Sequence, residues 1–135
     1  MKGLQPNIVS LEKNSMKLNS KAHGAIDYLV VVFLLLSPTL FGLKDITATF
    51  TYVLAAIHLL LTITTKFEFG LIKIIPFKIH GLIELIVSIV LMGVAFYLGN
   101  LEGDLSRNFY LSFGIAVLIT WLITDYKTTS EKLST

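Results

Sequence analysis

Long stretches almost free of charge alternate along the chain with short stretches that hold most of its polar residues. Residues 22–42, 46–65, 79–99 and 106–124 form four mostly apolar runs, each near the roughly twenty residues that an α-helix rising about 1.5 Å per residue needs to cross a hydrocarbon core. Strands would leave backbone groups unpaired in lipid unless a barrel closed, and four runs cannot close one. The pattern therefore predicts an all-α fold, a four-transmembrane-helix bundle. Composition agrees with it: 54% of residues are hydrophobic and 15% charged, a balance for which a water-soluble domain of this size has no adequate core.

The punctuation divides the chain into a polar N-terminal arm over 1–20, a first hairpin over 21–65, an interfacial linker over 66–78, a second hairpin over 79–126 and a tail over 127–135. Gly42, Lys44 and Asp45 break the first hairpin, and Gly99, Asn100, Gly103 and Asp104 the second, so both turns read as tight. Ser20 reads as the N-cap of the first helix, with a mobile arm up to about Met16, and Pro76 stands where a third helix can begin without the missing N–H being felt. The first apolar run is longer than a signal-peptide core and no A-x-A site follows it, so it is read as a retained helix.

The two hairpins read as tandem repeats in parallel orientation. A shift of 57 lays KAHGAIDYLVVVFLLLSPTLFG on KIHGLIELIVSIVLMGVAFYLG without a gap, with seven of 22 positions identical. Apolar matches are cheap between membrane helices, so the informative ones are Lys21 with Lys78, His23 with His80, Gly24 with Gly81, Gly42 with Gly99, and the acidic pair Asp27 and Glu84. A shift of 58 aligns the second and fourth helices more weakly, through Tyr52 with Tyr110 and Thr62 with Thr120. Two crossings per unit give both copies the same orientation about an axis along the membrane normal. Gly24, Ala25, Ala55, Ala56, Gly81, Gly93, Ser112, Gly114 and Ala116 are the small residues expected at close helix contacts.

In the first helix Ser37, Pro38 and Thr39 precede Leu40, Phe41 and Gly42. A two-helix repeat with Ser-Pro at this place resembles the SPW-repeat family of small bacterial membrane proteins, defined by a Ser-Pro-Trp motif in the first of two transmembrane helices. Thr39 stands where that family has tryptophan, and the second copy reads Val94, Ala95, Phe96 at the motif. The resemblance covers residues 21–126 as architecture; it implies a bacterial inner-membrane location and this topology, and no catalytic residue. Pro38 also has its own physical reading, a bend or early end of the helix with Ser37 partly re-satisfying the freed backbone.

Charge sets the orientation. Lys2, Lys13, Lys17, Lys21, Lys66, Lys73, Lys78, Lys127 and Lys132 lie on the arm, linker and tail, against Lys44 and Arg107 on the short loops, so the positive-inside bias makes both termini cytoplasmic. Tyr28, Tyr97, Tyr110 and Tyr126 near the predicted ends suit an aromatic belt, and Trp121 an interfacial anchor. Lys66, Lys73 and Lys78 give a lipid-facing basic loop, read by default as solvated. The absence of cysteine excludes disulfides and thiolate sites, and with a net charge of +2 and no basic cluster no nucleic-acid partner is expected. No phosphate loop, nucleophile elbow or metalloprotease motif occurs. The expected partners are the bilayer itself and further copies of the chain.

The residues that lipid should exclude are His23, Asp27, His58, His80 and Glu84. In each copy the histidine precedes its acid by four, so the two share a helix face. A carboxylate at such depth costs up to ~3 kcal/mol on insertion scales and needs an inward partner. The leading reading is a buried cluster near the cytoplasmic side that ties the hairpins together. A second is a proton or cation relay, for which a protomer this small needs further copies or a partner. A third is a cofactor site, with these residues holding Zn, Fe or Mn, or two imidazoles holding haem, although the spacing is not the Glu-x-x-His of di-iron bundles.

Overall fold

A computed structural model describes residues 17–127. The arm over 1–16, with Lys2 and Lys13, and the tail beyond Lys127, with Lys132, lie outside the described residues. Four helices follow in order: α1 Ser20–Phe41, α2 Asp45–Ile63, α3 Phe77–Glu102 and α4 Asp104–Ile123. They form a four-helix bundle in which each is long and apolar enough to cross a membrane. The outward faces carry large apolar side chains such as Leu29, Leu40, Ile86 and Leu122. Helices apolar on both faces suit lipid as the outer solvent.

Helix ends explain where the predicted limits shift. Asn19, not Ser20, caps α1: its backbone is extended (φ −79°, ψ 170°) and its side chain accepts from the Ala22 N–H at 2.8 Å, whereas Ser20 is already helical and its hydroxyl donates to Glu68. Pro38 does not end α1, which continues to Phe41. The Pro38 carbonyl accepts the N–H groups of Gly42 and Leu43, and Gly42 takes the left-handed conformation (φ 66°, ψ 41°) that turns the chain. The Ser37 hydroxyl donates to Phe33 O at 2.6 Å, not to Leu34 O, the carbonyl whose helical partner would have been the Pro38 N–H. Pro76 stands just ahead of α3 as expected. α3 then runs through the anticipated break at Gly99 and Asn100 as far as Glu102. A side chain at Gly99 would meet Arg107 Cβ at 2.7 Å, so this glycine serves the close approach of α3 to α4. Gly103 alone makes the turn, at φ 101°.

Packing is dense within each hairpin and sparse between the two. One end of the bundle holds the compact core of Leu91, Ala95, Leu98 and Tyr110. Tyr110, expected in an aromatic belt, is fully buried there and shares a hydroxyl bond with Thr51. Of the small residues named from the sequence, Gly24, Ala55, Gly81 and Gly114 are buried, while Ala25, Ala56, Gly93, Ser112 and Ala116 face outward. The buried, bonded partners of α2 and α4 are Thr47 with Ser106 and Thr51 with Tyr110, each 59 apart. Tyr52 and Tyr110, which the shift of 58 lays on one another, differ in burial, Tyr110 being buried and Tyr52 exposed.

The opposite end gathers both ends of the described residues and the linker. Leu18 bonds to the strand-like exit of α4 through Leu18 N to Ile123 O and Asp125 N to Leu18 O. The linker folds back so that Lys66 N reaches Ile75 O and Ile75 N reaches Thr64 O. Lys66, Lys73 and Lys78 are exposed at this end.

Candidate functional site

His23 and Asp27 stand one turn apart on α1, and His80 and Glu84 one turn apart on α3. Both pairs point inward and meet. Asp27 lies 3.3 Å from His23 Nε2 and 3.2 Å from His80 Nε2, through different oxygens. Glu84 lies 3.2 Å from His23 Nε2 and 3.4 Å from His80 Nε2, again through different oxygens. Each carboxylate therefore straddles both imidazoles, and two of these four contacts cross between hairpins. His58, from α2, approaches Asp27 at 3.6 Å and is partly exposed. All five residues singled out from the sequence converge, and four of them are buried. Within the set His23, Asp27, His80 and Glu84, one ligand atom from each lies within 4.8 Å of the others.

Threonine hydroxyls decide which imidazole nitrogen carries a proton. His23 Nδ1 lies 2.9 Å from Thr124 Oγ1, and His80 Nδ1 2.8 Å from Thr65 Oγ1. The single proton of Thr124 is given to Thr120 O, and that of Thr65 to Leu61 O, both at 2.6 Å. Each hydroxyl can then only accept from its histidine, so Nδ1 carries the hydrogen in both rings. The Nε2 of a neutral ring is left with a lone pair aimed at the carboxylates. Consistently, His23 Nε2, His58 Nε2, His80 Nε2 and Asp27 Oδ2 are buried and without a hydrogen bond. Bare polar atoms in such a place are costly.

Aromatic rings close the site toward the end of the bundle. Phe77, 1% exposed, packs edge-on against His23 at 5.3 Å and lies 4.8 Å from the Tyr126 ring. A Cβ at Gly24 would strike Phe67 at 2.7 Å, and one at Gly81 would strike Tyr126 at 2.7 Å, so these glycines admit the two rings. Tyr126 donates to Glu84 at 2.7 Å. Burial, with the Glu84 carboxylate beside it, pushes its phenol above the ordinary value and keeps it a donor.

Threonines inside membrane helices ordinarily bond the carbonyls of their own helix. Thr49, Thr51, Thr62, Thr64 and Thr120 do bond in that way. The Thr47 hydroxyl instead donates to Glu102 and shares a second bond with the Ser106 hydroxyl, and Thr65 bonds both its carbonyl and His80. Tyr126, read as a belt residue, is a partner of the site. Comparison with protein families, curated proteins and solved structures finds no match to this chain.

Proposed function

We propose that this is a membrane-embedded metal-binding protein in which His23, Asp27, His80 and Glu84 hold one divalent transition-metal ion and thereby join the two hairpins. One observation carries this reading. An imidazolium would turn its N–H onto a carboxylate oxygen at about 2.7–2.9 Å, yet the two Nε2 atoms stand 3.2–3.4 Å off, between oxygens and without a hydrogen bond. One donor atom from each of the four side chains also lies within 4.8 Å of the other three, so all four are gathered about one point where a single ion could draw them in to bonds of about 2.0–2.2 Å.

Three further points support it. Two carboxylates and two neutral imidazoles cancel the charge of a divalent ion, which a low-dielectric interior requires. The Thr65 and Thr124 hydroxyls orient the rings from behind, as partners of metal-bound histidine do. The mixed nitrogen and oxygen donors suit Zn, Fe or Mn. Haem fits less well, because the carboxylates occupy the space beside both Nε2 atoms where a macrocycle would lie. For a relay across the bundle the Leu91, Leu98 and Tyr110 core is an obstacle. The lysines of the arm, linker and tail support a cytoplasmic position for the site through the positive-inside bias.

The test is a Co(II) titration of metal-stripped protein in detergent. One ion per chain should bind with the absorption of a low-symmetry site, and added zinc should raise the thermal midpoint in proportion to the logarithm of its concentration. Replacing Asp27 by Asn together with Glu84 by Gln should remove both effects. A wild-type protein that takes up no stoichiometric ion sinks the proposal, as does a double variant that binds like wild type.

A further inference from the structure

In a bilayer the least apolar helix has the most to gain from burial, since lipid offers its polar side chains no partner. This bundle reverses that order. α4 is the least apolar of the four spans and also the least buried, with 17% of the residues in its spanning stretch buried against 33% in α1 and α3. Its polar residues show where the discrepancy sits. Ser106 and Tyr110 are buried and bonded to Thr47 and Thr51 of α2. Arg107 pairs with Asp104 at the start of α4, and Thr120 gives its hydroxyl to Ala116 O. Asn108 and Ser112 remain. Both are exposed, one turn apart on the outward face, and among the described residues neither side chain has a hydrogen-bond partner.

The rise along the helix sets their depth. Counted from the first residue of α4, Asn108 lies about 6 Å and Ser112 about 12 Å along the axis, so Ser112 at least is within a ~30 Å hydrocarbon core. Beside them runs a groove of about 440 Å³ between α1 and α4, lined by Phe33, Phe41, Phe109 and Phe113 as well as by Asn108 and Ser112. The rings bridge the gap between the two sparsely packed hairpins, Phe33 meeting Phe109 at 6.0 Å and Phe41 meeting it at 5.6 Å.

We infer that this face of α4 is the docking surface for a second copy of the chain, forming a twofold dimer in the membrane with Asn108 and Ser112 at its centre. Acyl chains have nothing to offer an amide, so lipid leaves the face unsatisfied. A second copy inserted in the same direction brings its own Asn108 and Ser112 to the same two depths by symmetry. An amide both donates and accepts, so two Asn108 side chains about an axis along the membrane normal satisfy each other. Ser112 and Ala116, next on the same exposed face, are small enough for a helix to come close, and bonds between polar groups with close packing are what hold helices together in lipid. The groove takes up side chains that a flat face would hold off. All four residues of the proposed metal site come from one chain, so the dimer stands or falls independently of the metal reading.

Because the chain has no cysteine, Ser112→Cys gives a clean test with purified full-length protein in phospholipid vesicles. Mild oxidation should link it into a disulfide dimer. Val53→Cys, as far into α2 as Ser112 is into α4 and likewise exposed, should stay monomeric under the same oxidation. Asn108→Leu puts an apolar side chain at a position facing lipid and disturbs no bond within the protomer. Energy transfer between labelled copies should show it weakening self-association about 3- to 20-fold, with the helical circular dichroism unchanged. A wild-type protein that stays monomeric at every protein-to-lipid ratio overturns the inference and leaves lipid as the occupant of the groove. Equal linking at positions 112 and 53, or wild-type association in folded Asn108→Leu, overturns it as well.

Discussion

The Thr65 hydroxyl has one proton, which goes to the Leu61 carbonyl, so what it offers His80 is a lone pair. Thr124 stands in the same relation to His23. Replacing either by valine keeps the shape and removes the acceptor, freeing the imidazole to rotate or change tautomer. We predict that Thr65→Val and Thr124→Val each weaken metal affinity by about 10–100-fold while the helical circular dichroism is unchanged; equal zinc affinity in a competition titration would refute the role. At this scale the sequence was half legible. The acids and imidazoles announce themselves, because five ionisable groups in lipid-length runs demand an explanation. The threonines do not. A hydroxyl that bonds its own helix looks the same in sequence as one that also holds a ring, and Thr124 lies 101 residues from His23.

Between elements, the start of α2 is secured by another helix. Its N-cap residue Lys44 makes no side-chain cap, and Glu102 at the end of α3 accepts instead from Ile46 N at 2.7 Å and Thr47 N at 2.8 Å. A carboxylate at a helix N-terminus satisfies free donors and complements the dipole. Glu102→Ala should lower the thermal midpoint and speed amide exchange at Ile46 and Thr47; unchanged exchange there would remove the cap from the account. The existence, number and order of the helices followed from run length alone, since lipid permits few alternatives. Their limits did not. Gly99 and Asn100 look like a break, yet glycine there answers to the neighbouring Arg107 and not to a turn. Which residues of α2 meet which of α4 was also hidden, because nothing in the sequence marks Thr47 with Ser106 or Thr51 with Tyr110 as bonded partners.

For the molecule as a whole, both described ends and the linker lie at one end of the bundle, with the buried cluster just inside it. The chain has no cysteine, so single cysteines can report sidedness cleanly. Cysteines at Lys17, Lys73 and Lys127 should react with an impermeant reagent from the cytoplasmic face only, and one at Lys44 from the opposite face. Labelling of Lys17 and Lys127 positions from different faces would overturn the topology. The cross-pairing of rings and hydroxyls carries a further consequence. His23, in the first hairpin, is steered by Thr124 of the second, and His80, in the second, by Thr65 of the first. Neither half completes the cluster by itself. Were the proposed ion bound there, a first half already threaded into the bilayer would have its ligands loose, and capture of the ion would coincide with the arrival of its counterpart.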